Sequence, residues 1–375
     1  LKKNSRNLMV FACLVCACLL YGCTGIMNDG IPGQKKNNSQ VNEVTKNNDL
    51  GYKLMDQDKP EEAIVYFKKA LDNVYQVDPS LRDLTEEKKS TGHLDTPFNN
   101  LSWAYNELGK HEESLKYIEK ALLILPNTDA EYVNKGNALY GLSRGDEALV
   151  YYDLAIKLNK DCDSAYYGRG AVNYNNQKYN VALKEFNIYL RAKPNDLEAA
   201  DYKVSTLLQL EQKQEALAYA DTVIANNLDK YDAYLLKATI LEKSGQYEDI
   251  KKFDEETSKM FPHNLEAQIK LGQLHYNYGY YNLSLDLFND LLKKHTDHME
   301  LYTWVLYNYS KLGDFDNAKA TFNKAIQIDS KSADIYSAMG SAYVNNTQYM
   351  EALEYLDKSI ELNPTNERAL QKARI

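Results

Sequence analysis

A chain of 375 residues with 44% hydrophobic content is long enough for more than one core and too apolar to be a wholly disordered polymer. Its formal charge is −9, or −12 without Lys2, Lys3 and Arg6. That excludes a nucleic-acid binder, and it excludes adhesion to an anionic bilayer by charge, since both need clustered Lys and Arg. Four of the five cysteines (Cys13, Cys16, Cys18 and Cys23) fall in the first 23 residues; Cys162 stands alone in the remainder, which therefore has no disulfide framework.

The basic start leads into an apolar run from Leu8 to Leu20, which has signal-peptide length and is too short for a spanning helix. It ends in Leu20-Tyr21-Gly22-Cys23, which resembles the lipobox of bacterial lipoproteins, although Tyr21 is bulkier than that family prefers. The resemblance implies a signal peptide over residues 1–22, diacylglycerol on Cys23 and attachment to the extracytoplasmic face of a bacterial cell membrane. A simple signal anchor is the alternative. Residues 23–43, with Gly25, Gly30, Pro32 and Gly33, read as a lipid-anchored flexible tether.

From Asp95 the chain repeats every 34 residues, with starts at 95, 129, 163, 197, 231, 265, 299 and 333. The fourth position is aromatic in Phe98, Tyr132, Tyr166, Tyr234, Tyr302 and Tyr336. The eighth is small in Ser102, Gly136, Gly170, Ala238, Gly272 and Gly340, and the twentieth is small in Ser114, Ala148, Ala182, Ala216, Ser284, Ala318 and Ala352. Tyr152, Phe186, Phe288 and Phe322 fill the twenty-fourth, and Pro126, Pro194, Pro262 and Pro364 close the unit.

This pattern resembles the tetratricopeptide-repeat family. The resemblance implies an all-α fold, a right-handed superhelical solenoid of antiparallel helix pairs, A and B. An earlier unit over residues 44–78 carries Leu50, Gly51, Leu54, Ala63, Phe67 and Ala70. An insertion over 79–94 separates it from the eight contiguous repeats of 95–364, and is expected to hold one short helix within Leu81 to Lys89. Residues 365–375 read as a partial cap helix. The sixth repeat departs from the pattern at Ile250, Asp254 and Thr257; a rotated helix B, with Phe253 and Met260 refilling the gap, and local opening over residues 246–262 are expected there.

No P-loop, HExxH, nucleophile elbow or Cys-x-x-Cys pair occurs after residue 23, so neither an enzyme nor a bound cofactor is indicated. Gly168 and Gly170 are packing glycines of a helix A. His295 and His298 in an inter-repeat turn lack a third ligand, which argues against a metal site. Glu198, Asp232, Glu266, Glu300 and Asp334 recur at the second position, where an acid complements the helix dipole.

In this family the inner face is built from helix A positions 2, 5, 9, 12 and 13. On this chain the resemblance therefore implies a ligand groove of Asn99, Trp103, Asn106, Asn137, Tyr140, Tyr167, Tyr174, Asn175, Tyr276 and Tyr307. Amides and tyrosines suit the backbone of an extended polypeptide, so a protein or peptide partner is expected, with a glycan as the alternative. The competing reading is that several of these aromatics pack between neighbouring helices. The basic residues of the family's carboxylate clamp are replaced here by Asn99, Val133 and Ser164, and that function is not implied.

Overall fold

The computed structural model describes residues 32–86, 94–245, 247–366 and 370, and among them only helices and turns occur. The A helices are α1 (Pro32–Met55), α3 (Thr96–Glu107), α5 (Asp129–Gly141), α7 (Asp163–Asn175), α9 (Leu197–Gln209), α11 (Tyr231–Ser244), α13 (Leu265–Asn277), α15 (Met299–Leu312) and α17 (Ala333–Asn345). Their B partners are α2 (Pro60–Val77), α4 (His111–Ile124), α6 (Gly145–Leu158), α8 (Tyr179–Ala192), α10 (Lys213–Asn226), α12 (Tyr247–Met260), α14 (Tyr281–Lys294), α16 (Phe315–Ile328) and α18 (Tyr349–Leu362). The fold is an all-α solenoid of helical repeats, and it divides into two compact units, Leu1–Leu210 and Glu211–Ile375.

Each turn from A to B requires a left-handed residue at the fifteenth position of its repeat. Gly109, Gly245, Gly279 and Gly313 supply it freely, whereas Asp58, Ser143, Gln177, Glu211 and Thr347 are held there at φ of 57 to 62°. The crossing of the two helices is set by size. Phe67, Tyr152, Phe186 and Phe288 are fully buried, each lying over the eighth-position glycine of its own repeat. A methyl added at Gly51, Gly136, Gly170 or Gly272 would lie 2.2, 2.6, 2.9 or 2.5 Å from a ring carbon. Burial of each ring contributes on the order of 2–3 kcal/mol, which is available only while the opposing position stays bare. Where serine replaces glycine the contact becomes polar: Ser102 bonds Ser114 at 2.8 Å. The Ser284 hydroxyl likewise donates to the Gly272 carbonyl at 2.8 Å.

Four expectations need correction or restriction. The flexible-tether reading of 23–43 fails over residues 32–43, because α1 begins at Pro32. Proline is tolerated in a first turn, and once Val44 is buried and Gln40 donates to Gln76 at 2.9 Å, each further residue extends an existing helix without a new nucleation cost. The signal-peptide and lipid-anchor readings at 1–22 and Cys23 lie outside the described residues. In the insertion, the expected helix within 81–89 is reduced to a 3-10 turn, Pro79–Leu81, capped by Asp78 and anchored by fully buried Leu81; residues 87–93 lie outside the described residues. At the far end Asn366 is buried and donates to Asp334 and Ser359, both at 3.2 Å, and the cap-helix reading of the tail falls largely outside the described residues.

The sixth repeat is repaired by charge rather than by Met260, which is 52% exposed. Phe253 does pack, stacking on Tyr234 at 6.3 Å. Asp254, where other repeats carry a ring, meets His275 Nε2 at 2.9 Å, while His275 Nδ1 bonds Glu242. Burial alone would lower the His275 pKa, but hydrogen bonds and the charges of Asp254 and Glu242 overcome it and push the imidazole up to about 9. Burial raises Asp254 despite the same bond.

Two outcomes follow for stability. Gly272→Ala drives a methyl into Phe288 and should destabilise the chain by about 1–3 kcal/mol in chemical denaturation. The His275 pKa is higher folded than unfolded, so its contribution is complete below about 6.5 and disappears as pH rises through about 9. Accordingly, His275→Gln should cost about 3–5 kcal/mol at pH 6, and the gap from the parent chain should close above pH 9. Urea midpoints across that range measure it.

Candidate functional site

The helix A face of the first unit is built from α3, α5, α7 and α9. Its amides are engaged within the molecule. Asn134 Nδ2 donates to Asn99 Oδ1 at 2.7 Å, and Asn106 Nδ2 reaches the Asn134 carbonyl at 3.1 Å. Asn137 accepts from the Tyr152 hydroxyl at 2.8 Å. One repeat earlier, Tyr52 donates to Asn100, which donates in turn to Asn48, at 2.8 and 3.2 Å. All but the Asn137–Tyr152 bond, which joins the two helices of one repeat, tie successive A helices together, and all satisfy polar groups that the stacking buries.

Half of the expected groove is therefore not available to a ligand. Trp103, Asn106, Asn137, Tyr167 and Tyr307 are all buried, at 4 to 9% exposure. Trp103 tilts against Tyr52 at 5.7 Å and donates to Glu107 at 3.0 Å. Tyr167 contacts Tyr189 and Tyr202 at 5.0 and 5.9 Å, and its hydroxyl donates to Glu198 at 2.9 Å. In the second unit Tyr307 packs on Trp304 at 5.7 Å and on half-buried Tyr276 at 6.2 Å. Four of the five stand at the fifth or ninth position of an A helix, whose side chains point at neighbouring helices, and Asn106, at the twelfth, is held by its bond to the Asn134 carbonyl.

What stays open is Asn99, Tyr140, Tyr174, Tyr276 and the exposed Asn175. Tyr140, Tyr174 and Asn175 lie together. Asn175 Nδ2 donates to the Tyr140 hydroxyl at 2.7 Å, and Tyr174 meets Tyr179 and Tyr202 edge-on at 5.5 and 5.7 Å. Burial raises both the Tyr140 and Tyr174 phenols, so they are neutral hydrogen-bonding groups at physiological pH. Tyr202 and Tyr179 complete this platform and were missed from the sequence, because they sit at the sixth and seventeenth positions, off the five positions used to define the face. The aromatic at Trp304, also a sixth-position residue, was the available signal.

Glu198, Asp232 and Glu300 likewise bridge repeats, while Glu266 and Asp334 pair within their own. Burial pushes Glu198 up to about 7 even as it accepts from Tyr167. Glu300 accepts from Gln273 at 3.1 Å, Asp232 and Glu266 share Lys270 at 3.5 Å, and Asp334 accepts from Asn366. At the start of the first unit's contiguous repeats, Glu131 is raised to about 8 by burial and then by Asp95, the two buried carboxyls facing each other. Among the described residues no group of three His, Cys, Asp or Glu is placed to hold a metal ion, and no helix is long and apolar enough to cross a membrane. His295 and His298 occupy the turn between α14 and α15.

Sequence models of the tetratricopeptide repeat match residues 97–128, 133–196, 203–249 and 333–366, and a TPR repeat model matches 307–346. The chain belongs to the tetratricopeptide-repeat family. TPR proteins are in general non-enzymatic scaffolds that bind protein or peptide partners, and this fold is of that kind. One relative is the TPR repeat-containing protein MJ1428 of Methanocaldococcus jannaschii, 27% identical over 205 residues, covering 50% of this chain and 36% of that one. The chain thus spans about a third of that relative's length. Among solved structures, PilW, a widely conserved type IV pilus biogenesis factor, is 18% identical over 61% of this chain and 98% of its own, with a TM-score of 0.49. PilF of Pseudomonas aeruginosa is 18% identical over 61% of this chain and 97% of its own, at 0.45. YrrB, a TPR protein with an unusual peptide-binding site, is 20% identical over 69% and 98%, at 0.31.

Proposed function

We propose that this TPR protein is a lipid-anchored adaptor on the extracytoplasmic face of a bacterial cell membrane, and that its first unit binds an extended polypeptide. The observation that carries the binding is the platform of Tyr140, Tyr174, Tyr179, Tyr202 and Asn175. It presents several rings and amide or hydroxyl groups on the A face, whereas Trp103, Asn106, Asn137, Tyr167 and Tyr307 are buried. Tyrosine offers large contact area at small entropic cost, and a neutral phenol and amide can bond a peptide backbone in either sense. The anchor rests on the sequence at Leu20-Tyr21-Gly22-Cys23.

The two halves of the proposal are tested separately. A photo-crosslinking residue at Tyr174 in cells should yield a discrete protein adduct that Tyr140→Ala reduces. A glycan adduct, or none above that of a probe at exposed Lys184, would overturn the polypeptide reading. Cys23→Ser should move the protein from the membrane fraction to the soluble one; unchanged fractionation would remove the lipid anchor.

A further inference from the structure

On the opposite face, that of the B helices, a cation at the seventh position of an A helix bridges at three junctions to the twenty-fifth position of the preceding B helix. Lys135 reaches Glu119 at 3.3 Å, Arg169 reaches Asp153 at 2.7 Å and Lys237 reaches Asp221 at 2.7 Å. A bulky twenty-third residue of the next B helix closes the gap from the other side. Lys135 lies 4.7 Å from the Tyr151 ring, Lys237 lies 5.5 Å from Phe253, and Arg169 also bonds Glu185 at 2.8 Å. At the junction of α14, α15 and α16 all three members of this clip are short: Val305, Asn289 and Thr321.

The consequence is a cleft of about 860 Å³ between α14 and α16, floored by α15. Tyr302, Val305 and Tyr309 form its floor. Two helical turns separate the tyrosines, about 10.5 Å along the axis at the usual helical rise. The walls are polar and polarised lengthwise: Asp286 with Asn317 towards the start of the two B helices, Lys293 with Lys324 towards their ends. Lys293 is bonded to Asp290 at 2.6 Å, which leaves Lys324 to set the sign at that end.

We infer that this cleft binds a proline-rich segment of a partner protein in the polyproline II conformation, with a basic side chain at Asp286 and an acidic one at Lys324. A polyproline II helix turns every three residues, about 9.3 Å, so successive turns fall on the two floor tyrosines. Its prolines have no N–H and its carbonyls are unpaired, which suits walls that carry amide and hydroxyl donors, here Asn289 and Thr321, while Asn317 already donates to Asp314 at 2.7 Å. Charges one turn apart on the ligand meet opposite charges on the cleft. The site is separate from the tyrosine platform of the first unit and stands or falls independently of it.

The test is fluorescence anisotropy of the full chain with a labelled synthetic peptide of repeated Arg-Pro-Pro-Glu units. Saturable binding is expected, weakened about tenfold or more by Asp286→Lys and by Ala320→Arg, which fills the cleft, and unchanged by Lys184→Ala at an exposed site outside both surfaces. Asp286 and Ala320 are exposed, so both variants should keep the parent's thermal midpoint. Absence of saturable binding overturns the inference. So does equal affinity for the Arg-Gly-Ser-Glu counterpart, insensitivity to both cleft variants, or displacement of the peptide by a neutral hexasaccharide at lower concentration than by unlabelled peptide.

Discussion

Where a helix A with glycine at its eighth position crosses its own helix B there is room for one large side chain, and the packing of those repeats is arranged around that limit. Glycine at the eighth position lets Phe67, Tyr152, Phe186 or Phe288 lie flat against the opposing backbone. A close crossing in turn carries the twentieth-position alanines and serines into contact. Two of the other repeats follow the same rule, whereas Leu306 and Phe322 are both buried at their crossing. Ser102 accompanies Ile118, a smaller partner than a ring, and Ala238 accompanies Asp254, which leaves a volume that His275 enters from the next repeat. A buried carboxylate in a ring's place is stable because it pairs with the His275 imidazolium, which Asp254 and Glu242 together hold charged.

The two faces solve different problems. On the A face, helices of neighbouring repeats run side by side and bury polar groups that must find partners. Asn-to-Asn, Tyr-to-Glu and Gln-to-Glu bonds across the repeat boundary provide them, so an amide-rich stripe is first a cohesive device and only at Tyr140, Tyr174 and Asn175 an open one. On the B face, spacing between helices is filled by long cations clipped to acids. Those clips are partly exposed and individually contribute little to stability, but each occupies space. Loss of the clip beside Val305 therefore changes the surface far more than it changes the fold.

Charge placement shows the same division between cohesion and display. The acids at the second position complement helix dipoles, yet Glu198, Glu300 and Asp334 also accept hydrogen bonds from another repeat or from the chain beyond their own helix pair. Glu131 and Asp95 are a more extreme case, two buried carboxyls close enough that burial and mutual repulsion hold a proton between them near neutrality. None of these groups converges on a common point in the manner of a catalytic centre; each lies on the boundary that it joins.

The sequence by itself determined the helix pairs, their 34-residue spacing and the small-against-large contact within each, because these depend on residues of one repeat and recur in phase. It also located the acids and the face to which Tyr140 and Tyr174 belong. Only the tertiary structure decided which members of that face are free. Exposure of Trp103, Tyr167 or Tyr307 depends on what stands opposite in a neighbouring helix, and side chains at Tyr52, Glu198 or Tyr276 lie outside the repeat that contains them. The His275 triad and the cleft beside Val305 were hidden for the same reason: each arises where three helices meet, and no single repeat's pattern records a residue that its neighbour lacks.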